Sequence, residues 1–435
     1  SLNLYQLVED GTLRPIDEYM PLATELTAEL PQQMIDYGKV DGVQYIICHQ
    51  QQIANGRSLA IPTEYIEKGW VDGDKLYDMF RSDNYGKYTV AEMMDEMEKS
   101  LLAVREGTGN SSIYLTSMAD SGTSNYNIFI GYHDSVSGYT TTQALQIDNA
   151  THTVYFTDME PGVTDVMARM GEWYDKGYVY PDVTAELQSI YTKDYLTTDA
   201  PKALLNFSNG TGTAEYLTEF NTTAYGYPIT VYQLNDQYYA PMTYAAGGDG
   251  ITSSCEYPEE AMIFLNEMYN NAGLYQLLIY GEEGKHWVED NDDDHSITVL
   301  GGASQPTSDF AYGLWCWTIG TCENVRLTQN LANDPSWYAE LKELEKTAYS
   351  SPLLNFSYDK TNYEAEVANL AAISKEYGDA LGKGYLGAAG WEAHYNKMLD
   401  ELKANGVDNV RADCQEQLNQ YLKDRGVTAW NYDGQ

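Results

Sequence analysis

The chain of 435 residues carries 65 acidic and 25 basic side chains, which gives a formal net charge of −40 at pH 7. A charge of this sign repels phosphate backbones and anionic membrane surfaces, so nucleic-acid binding is excluded as the main activity. Hydrophobic residues make up 43% of the chain, enough for buried cores, and the length predicts two or three compact units.

The first segment, "SLNLYQLVEDGTLRPIDEYM", is amphipathic from its first residues. It predicts a helix, a turn at Gly11 and a second short helix that begins near Pro15. Because this segment starts without a cap, a lead-in or a signal peptide, we expect the full protein to have residues before Ser1.

The next segment, "KVDGVQYIICHQQQ", predicts a hairpin. Asp41-Gly42 is a turn signal, and the apolar run after it is typical of a strand. The polar side chains of Gln50 and Gln51 stand at the end of this predicted strand.

The middle of the chain predicts helices alternating with strands. A helix from Val90 has an apolar face formed by Met93, Met94, Met97, Leu101 and Leu102. A later helix ends at Gly177 and places Trp173 in the core. The run "KALLNFSNGTGTAEYL" predicts a strand, a Gly-rich loop and a helix, but it contains no nucleotide-binding motif, so no phosphate site is expected.

A well-marked helix begins at Pro258, a residue favoured at the first helical position. Its predicted buried face consists of Ala261, Phe264, Leu265, Met268 and Tyr269. The loop "YGEEGKHWVED" follows an apolar segment, and its two glycines permit unusual backbone angles. We therefore predict that this loop shapes the edge of a cleft or hinge and performs no chemistry.

The last region predicts three helices with buried stripes at helical spacing. The stripes are Tyr363, Val367, Leu370, Ile373, Tyr377 and Leu381, then Trp391, Tyr395, Met398 and Leu402, then Val410, Cys414, Leu418 and Leu422. No low-complexity linker separates the regions of the chain, so we expect the chain to cross between its domains more than once.

No cofactor, metal site or catalytic motif is predicted. The five cysteines show no CxxC and no Cys/His metal spacing; Cys316 and Cys322 are close enough either to pair or to remain buried thiols. The acidic stretch from Glu289 to Ser296 begins like a calcium loop, but His295 stands where that loop needs glycine, which favours a solvated turn.

The order of four segments, "EDGTLRPIDEYM", "DGVQYIICHQQQ", "GDGITSSCEYPEEAMIFLNEMYNN" and "IYGEEGKHW", resembles the extracellular solute-binding proteins of ABC importers, in particular sugar-type lipoproteins of Gram-positive bacteria. The stretch from "LLNFSYDKTNYEAEVANLAAISKEYGDAL" to "LKANGVDNVRADCQEQLNQYL" resembles an uncharacterised C-terminal domain found in one branch of these lipoproteins.

The resemblance implies an α/β fold of the periplasmic-binding-protein type (type II), with two lobes around a ligand cleft and a helical C-terminal region. It implies a first lobe from 1–55 and 241–345, a second lobe from 56–240, and a C-terminal region from 346–435 packed on the lobes. The family's first strands and lipid-carrying cysteine do not precede Ser1, so we expect the first lobe to lack N-terminal strands in this chain.

The resemblance also implies which residues contact the ligand. The residues that match are Gln50, Gln51, Asp249, Trp315 and Trp317 in the cleft, and Glu283 and Trp287 in the loop. Amides and carboxylates suit the hydroxyl groups of a sugar, and an aromatic face suits its C–H side. The 39 tyrosines would suit wet binding surfaces, although we predict that most of them have ordinary core or surface roles.

The function implied is the non-enzymatic capture of a carbohydrate, an oligosaccharide by our expectation, and its delivery to an ABC permease. The implied protein is a monomer held at the cell surface by a lipid. Two alternatives stay open: a peptide or cationic-ligand receptor of the same fold, for which the excess of acid would suit a cationic ligand if it lines the cleft, and a glycoside hydrolase, which would need a defined pair of carboxylates.

Overall fold

The computed structural model describes the following residues: 4–30, 32–40, 42–49, 54–116, 128–130, 133–136, 145–148, 151–182, 196, 198–210, 213–235, 238–239, 248–289, 296–300, 319–321, 324, 327–328, 349–353 and 356–427.

The chain forms two compact units. The first unit comprises Ser1–Asn55 and Tyr238–Asn355, and the second comprises Gly56–Gln237 and Phe356–Gln435. The chain therefore passes from one unit to the other at three places. The assignment of the predicted ranges to the lobes of a binding protein stays a prediction.

The described helices and strands are numbered in chain order. The helices are α1 (Leu4–Glu9), α2 (Thr24–Glu29), α3 (Gln32–Tyr37), α4 (Thr63–Glu67), α5 (Gly73–Phe80), α6 (Val90–Thr108), α7 (Val163–Asp175), α8 (Ala214–Tyr225), α9 (Pro258–Asn270), α10 (Ala272–Ile279), α11 (Glu364–Gly382), α12 (Gly387–Ala404) and α13 (Val407–Asp424). The strands are β1 (Lys39–Val40), β2 (Val43–Gln44), β3 (Ile46–Cys48), β4 (Ala54–Pro62), β5 (Ile113–Thr116), β6 (His133–Ser135), β7 (Leu145–Asp148), β8 (Thr153–Phe156), β9 (Lys202–Gly210), β10 (Ile229–Gln233), β11 (Tyr238–Tyr239), β12 (Gly248–Gly250), β13 (Trp287–Glu289), β14 (Ser296–Val299), β15 (Leu327–Thr328) and β16 (Tyr349–Ser350).

The first unit contains several small sheets. The hairpin β1–β2 turns at Gly42, whose φ of +81° is the left-handed conformation that the Asp-Gly signal predicts. Strand β3 pairs antiparallel with β12, and β13, β14 and β15 form a three-stranded sheet. Strand β11 pairs with β16 and with the first residues of β4.

The prediction of a helix near Pro15 is wrong. Leu13 instead forms a β-bridge with Thr252, and the next helical turn is the short 3-10 segment Met20–Leu22. Arg14 holds this arrangement, because its Nε donates to the carbonyl oxygen of Thr252 at 3.1 Å. The backbone conformation of this segment is set by pairing with residues more than 200 positions away and not by local helix propensity.

Helix α9 is present as predicted, but its buried face differs from the prediction. Phe264 is 44% exposed, whereas Met262 and Asn266 are buried together with Met268 and Tyr269. The apolar core of this unit joins the inner side of α9 to α2 and β3; its buried members are Ile16, Ala23, Leu26, Leu30, Met34, Ile47, Cys48, Ile251, Met262, Met268 and Tyr269. The helix turns Asn266 inward, since that amide has a partner there.

Asn266 caps another helix. The residue before α2 is Ala23, which has no side chain able to cap. The Oδ1 atom of Asn266 accepts hydrogen bonds from the backbone N–H groups of Glu25 and Leu26, both at 3.0 Å. Two of the free N–H groups at the start of α2 are thus satisfied by a side chain of α9.

We expect Asn266→Ala to destabilise the protein by about 1–3 kcal/mol, because it leaves two backbone N–H groups without a partner near the core. Urea unfolding measures this loss. The matched control is Asn271→Ala, which removes an exposed cap that accepts from Leu274 N at 3.0 Å and should cost about 1 kcal/mol or less. Equal losses in the two variants would contradict the prediction.

The second unit is built on the sheet order β5–β9–β4–β10, in which β5 and β9 are parallel and the other pairs are antiparallel. A second sheet has the order β6–β7–β8. Helix α6 begins with a reciprocal cap between Thr89 and Glu92. Its buried apolar residues are Met93, Met94, Met97, Leu101 and Val104, while Leu102, predicted to share this face, is 45% exposed.

The C-terminal helices belong to this second unit and follow the predicted stripes closely. The buried residues on them include Val367, Leu370, Ile373, Tyr377, Leu381, Tyr395, Met398, Leu402, Val410, Cys414, Leu418 and Leu422. Trp173 of α7 is fully buried, as predicted, and its Nε1 donates to Glu98 at 2.9 Å. Among the described residues, no helix is both long and apolar enough to cross a membrane.

Candidate ligand site

The strand pair β3–β12 in the first unit carries the candidate site. Ile47 lies opposite Asp249, and side chains two residues apart on a strand point to the same face. His49, which follows β3, is therefore a diagonal neighbour of Asp249. Its Nε2 lies 3.2 Å from the Oδ2 of Asp249.

Burial distinguishes the two partners. The side chain of His49 is 8% exposed and that of Asp249 is 29% exposed. The carboxylate can thus reach an incoming polar group, while the imidazole stays behind it. Asp249 keeps acceptor capacity beyond the His49 contact, because a carboxylate offers about four acceptor positions.

Glycines on both sides of Asp249 permit close packing of the backbone. A Cβ added at Gly248 would lie 2.8 Å from the Cδ1 of Ile46, and one added at Gly250 would lie 2.8 Å from the Cδ2 of Leu13. Such distances are too short for a side chain unless its neighbours move. The two glycines that flank Asp249 therefore allow β12 to lie close to its neighbours, and Asp249 carries the one side chain of β12 that is larger than a hydrogen atom.

Helix α9 supports the other strand. The Tyr269 Oη donates to the carbonyl oxygen of Cys48 at 2.9 Å, just before His49. Burial, with a smaller contribution from the negative charge of Asp249, raises the pKa of Cys48 to about 12. The thiol is thus neutral at physiological pH and is no nucleophile.

The loop that contains Glu283 and Trp287 is held by its own bonds. The Nε1 of Trp287 donates to the carbonyl oxygen of Gly281 at 3.0 Å, and Trp287 is 4% exposed. The backbone N–H of Gly284 donates to the carbonyl oxygen of Trp287 at 2.7 Å. Both glycines have positive φ values, +83° and +76°.

This geometry gives Trp287 a structural role, since its single N–H group is used inside the loop. Glu283 is exposed, and its backbone forms a bridge with Trp287. Within the described part of the chain, no hydrogen bond or ion pair connects either residue with Asp249. Their contact with a ligand, and the absence of chemistry in the loop, stay predictions.

Four of the predicted contact residues, Gln50, Gln51, Trp315 and Trp317, lie outside the described residues. The glutamines follow His49 directly in the chain. Sequence reasoning missed His49 itself. The signal was available, because His49 is the first polar residue after the apolar strand.

The described residues contain no group of three or more His, Cys, Asp or Glu side chains arranged to hold a metal ion. Residues 290–295 of the acidic turn, and both Cys316 and Cys322, lie outside the described ranges. Cys48, Cys255 and Cys414 are free thiols.

Residues 352–423 match a family model described as a domain of unknown function, DUF3502. This match confirms the expected uncharacterised C-terminal domain. A protein from Streptococcus pneumoniae named "Carbohydrate ABC transporter substrate-binding protein" is 26% identical over 180 residues. The matched stretch spans 40% of this chain and 34% of that relative, about a third of its length.

The structure is similar to that of the N-glycan transport solute binding protein NgtS from Streptococcus pneumoniae, with a TM-score of 0.69 and 17% identity over 98% of this chain and 86% of that one. The chain has the solute-binding-protein fold. The solute-binding protein FusA of the same organism, solved with kestose, matches with a TM-score of 0.56 and 14% identity over 97% and 86% of the two chains. The solute-binding-protein fold confirms the predicted α/β fold class.

Proposed function

We propose that this protein is the extracellular substrate-binding component of an ABC importer and captures an oligosaccharide without transforming it. The observation that carries the proposal is the solute-binding-protein fold over nearly the whole chain, shared with a protein that has been solved in complex with Man5GlcNAc. The name of the Streptococcus pneumoniae relative, which states carbohydrate transport, supports the same substrate class.

The carboxylate of Asp249 gives the proposal a chemical basis. Asp249 can accept hydrogen bonds from sugar hydroxyl groups, and the buried imidazole of His49 lies 3.2 Å from its carboxylate. Gln50 and Gln51 would add amide donors and acceptors, and Trp315 or Trp317 would supply a stacking face. A charged acceptor is suited to this task, because hydrogen bonds with one charged partner are roughly twice as strong as neutral ones.

Capture would proceed by a population shift. A ligand that makes more contacts in a closed conformation than in an open one stabilises the closed conformation by the difference in binding free energy. The closed, loaded protein would then deliver its ligand to a permease in the membrane. We further propose that the full-length protein is a monomer anchored to the cell surface as a lipoprotein.

Calorimetry with a panel of oligosaccharides, peptides and polyamines tests the proposal. We expect heat of binding with at least one oligosaccharide. Binding of a polyamine or a basic peptide, with none to any sugar, would instead favour the cationic-ligand receptor, which the net charge of −40 and the partly exposed Asp249 also fit.

We expect the protein to leave a bound oligosaccharide intact during prolonged incubation, because its proposed role is capture and its fold is that of solute-binding proteins. Chromatography of the sugar before and after incubation measures this. A turnover that the Glu283→Gln variant abolishes would make the loop catalytic and would overturn the non-enzymatic assignment.

A further inference from the structure

The C-terminal helices contact the segment 152–160 of the second unit through a fully buried carboxyl group. The side chain of Asp158 is 0% exposed. The Ser374 Oγ, on α11, donates to its Oδ2 at 2.7 Å, and the Tyr395 Oη, on α12, donates to its backbone carbonyl oxygen at 3.1 Å. Two helices thus bind one residue of the 3-10 turn that follows β8.

The last helix contacts the same segment at a second point. The Oε1 of Gln415, on α13, accepts from the backbone N–H of Val154 at 2.7 Å, and its Nε2 donates to the carbonyl oxygen of His152 at 2.9 Å. His152 has a φ of +55°, a left-handed conformation that residues other than glycine rarely adopt. One amide side chain therefore supports the backbone near a strained turn.

The electrostatic surroundings of Asp158 disfavour its charge. Burial raises the pKa of Asp158 to about 6; the bond from Ser374 opposes this rise, and the neighbouring Glu160 adds to it. Glu160 is 3% exposed and lies in the same segment, and Tyr395 is the titratable group that faces Asp158 from α12. Among the described residues, no lysine or arginine forms an ion pair with Asp158, and its Oδ1 has no hydrogen-bond partner.

We propose that the C-terminal helices hold the segment 152–160 in place. Gln415 binds the backbone of this segment, and protonation of the Asp158 carboxyl group stabilises the contact between the segment and the helices. This assigns a role to the domain of unknown function, since Ser374, Tyr395 and Gln415 all lie within its matched residues 352–423. The proposal is independent of the ligand that the protein binds.

The pH dependence has a definite sign. The folded-state pKa of Asp158, about 6, lies above the ordinary aspartate value of 3.8, so the folded protein holds this proton more tightly than the unfolded chain does. The stabilisation is fully present below pH 4 or so and is lost as the pH rises through about 6. A neutral side chain at position 158 should remove this loss.

The first experiment compares the melting temperatures of the full chain and of its Asp158→Asn variant at pH 8 and pH 4.5. We expect the variant to melt about 3 °C or more above the wild type at pH 8, and this difference to shrink at pH 4.5. A variant that melts below the wild type by the same amount at both pH values would overturn the role of protonation.

The second experiment tests the backbone contact of Gln415 by peptide-resolved hydrogen exchange, with a matched pair of glutamines. Gln417, on the same helix, makes an equivalent pair of bonds to the backbone of Asp359, accepting at 3.0 Å and donating at 2.8 Å. We expect Gln415→Ala to speed exchange in 152–160 at least about tenfold, and Gln417→Ala to leave that segment unchanged. Equal effects of the two variants on 152–160 would overturn the proposal that Gln415 holds this segment.

Discussion

Replacing Asp249 with alanine should weaken oligosaccharide binding by about tenfold to a hundredfold, because the change removes a partly exposed carboxylate that can accept hydrogen bonds from sugar hydroxyls. Losing a hydrogen bond to a charged group typically costs about 1.5–3 kcal/mol, and each 1.4 kcal/mol corresponds to about a factor of ten in affinity. Calorimetry with the tightest sugar of the panel measures the effect.

Asp249→Asn refines this experiment, since it removes the charge and keeps one carbonyl acceptor. For a sugar, we expect the asparagine variant to retain more affinity than the alanine variant. For a cationic ligand, both variants should lose binding to a similar extent, because the charge itself would be the recognised feature. The comparison therefore separates the two ligand classes on one fold.

Glu259→Gln provides a control, since Glu259 is an exposed carboxylate in the first turn of α9 and removing it changes the net charge by the same amount. We expect no change in sugar affinity. An unchanged affinity in Asp249→Ala would place the ligand elsewhere, while leaving the fold and the proposed class of function standing.

Replacing Gly384 with alanine should destabilise the second unit by about 2–5 kcal/mol. Its φ of +73° costs a residue with a Cβ roughly 1–2 kcal/mol, and overpacking typically adds about 1–3 kcal/mol. The added Cβ would lie 2.1 Å from the carbonyl oxygen of Met170 in α7, a backbone atom that cannot rotate away. The turn between α11 and α12 lies against α7 at this point.

Gly109→Ala is the matched control. Gly109 ends α6 with a φ of +68°, but a Cβ there would meet no atom within 4 Å. We expect Gly109→Ala to lower the free energy of unfolding only by the cost of the positive φ, about 1–2 kcal/mol, as measured by urea unfolding. If Gly384→Ala lost no more stability than Gly109→Ala, the close contact between the C-terminal region and α7 would not hold in solution.

Local patterns in the sequence predicted many elements of the fold correctly. The 3.6-residue spacing of apolar side chains predicted the buried stripes of α11, α12 and α13, because a helix that packs on one face needs that spacing. The Asp41-Gly42 turn predicted the β1–β2 hairpin, since glycine readily adopts the left-handed conformation found there. The order of segments predicted the fold class, which the similar structures confirm.

Helix α9 shows where the local pattern fell short. Periodicity predicted its existence and its first residue, but it could not decide the rotation of the helix about its axis. Phe264 is exposed and Asn266 is buried because the start of α2 needs a hydrogen-bond acceptor. A polar residue turned inward by a distant backbone group leaves no signal in hydrophobicity.

The candidate site, like helix α9, could be predicted only in part from the sequence. The sequence by itself determined that a run of glutamines follows the predicted strand, that glycines surround Asp249, and that no cofactor motif is present. Only the tertiary structure decided that β3 and β12 pair, and so that His49 and Asp249 meet although 200 positions separate them in the chain. The physical reason is that strand pairing is set by backbone hydrogen bonds and burial across the whole unit, and a strand carries no local record of its partner.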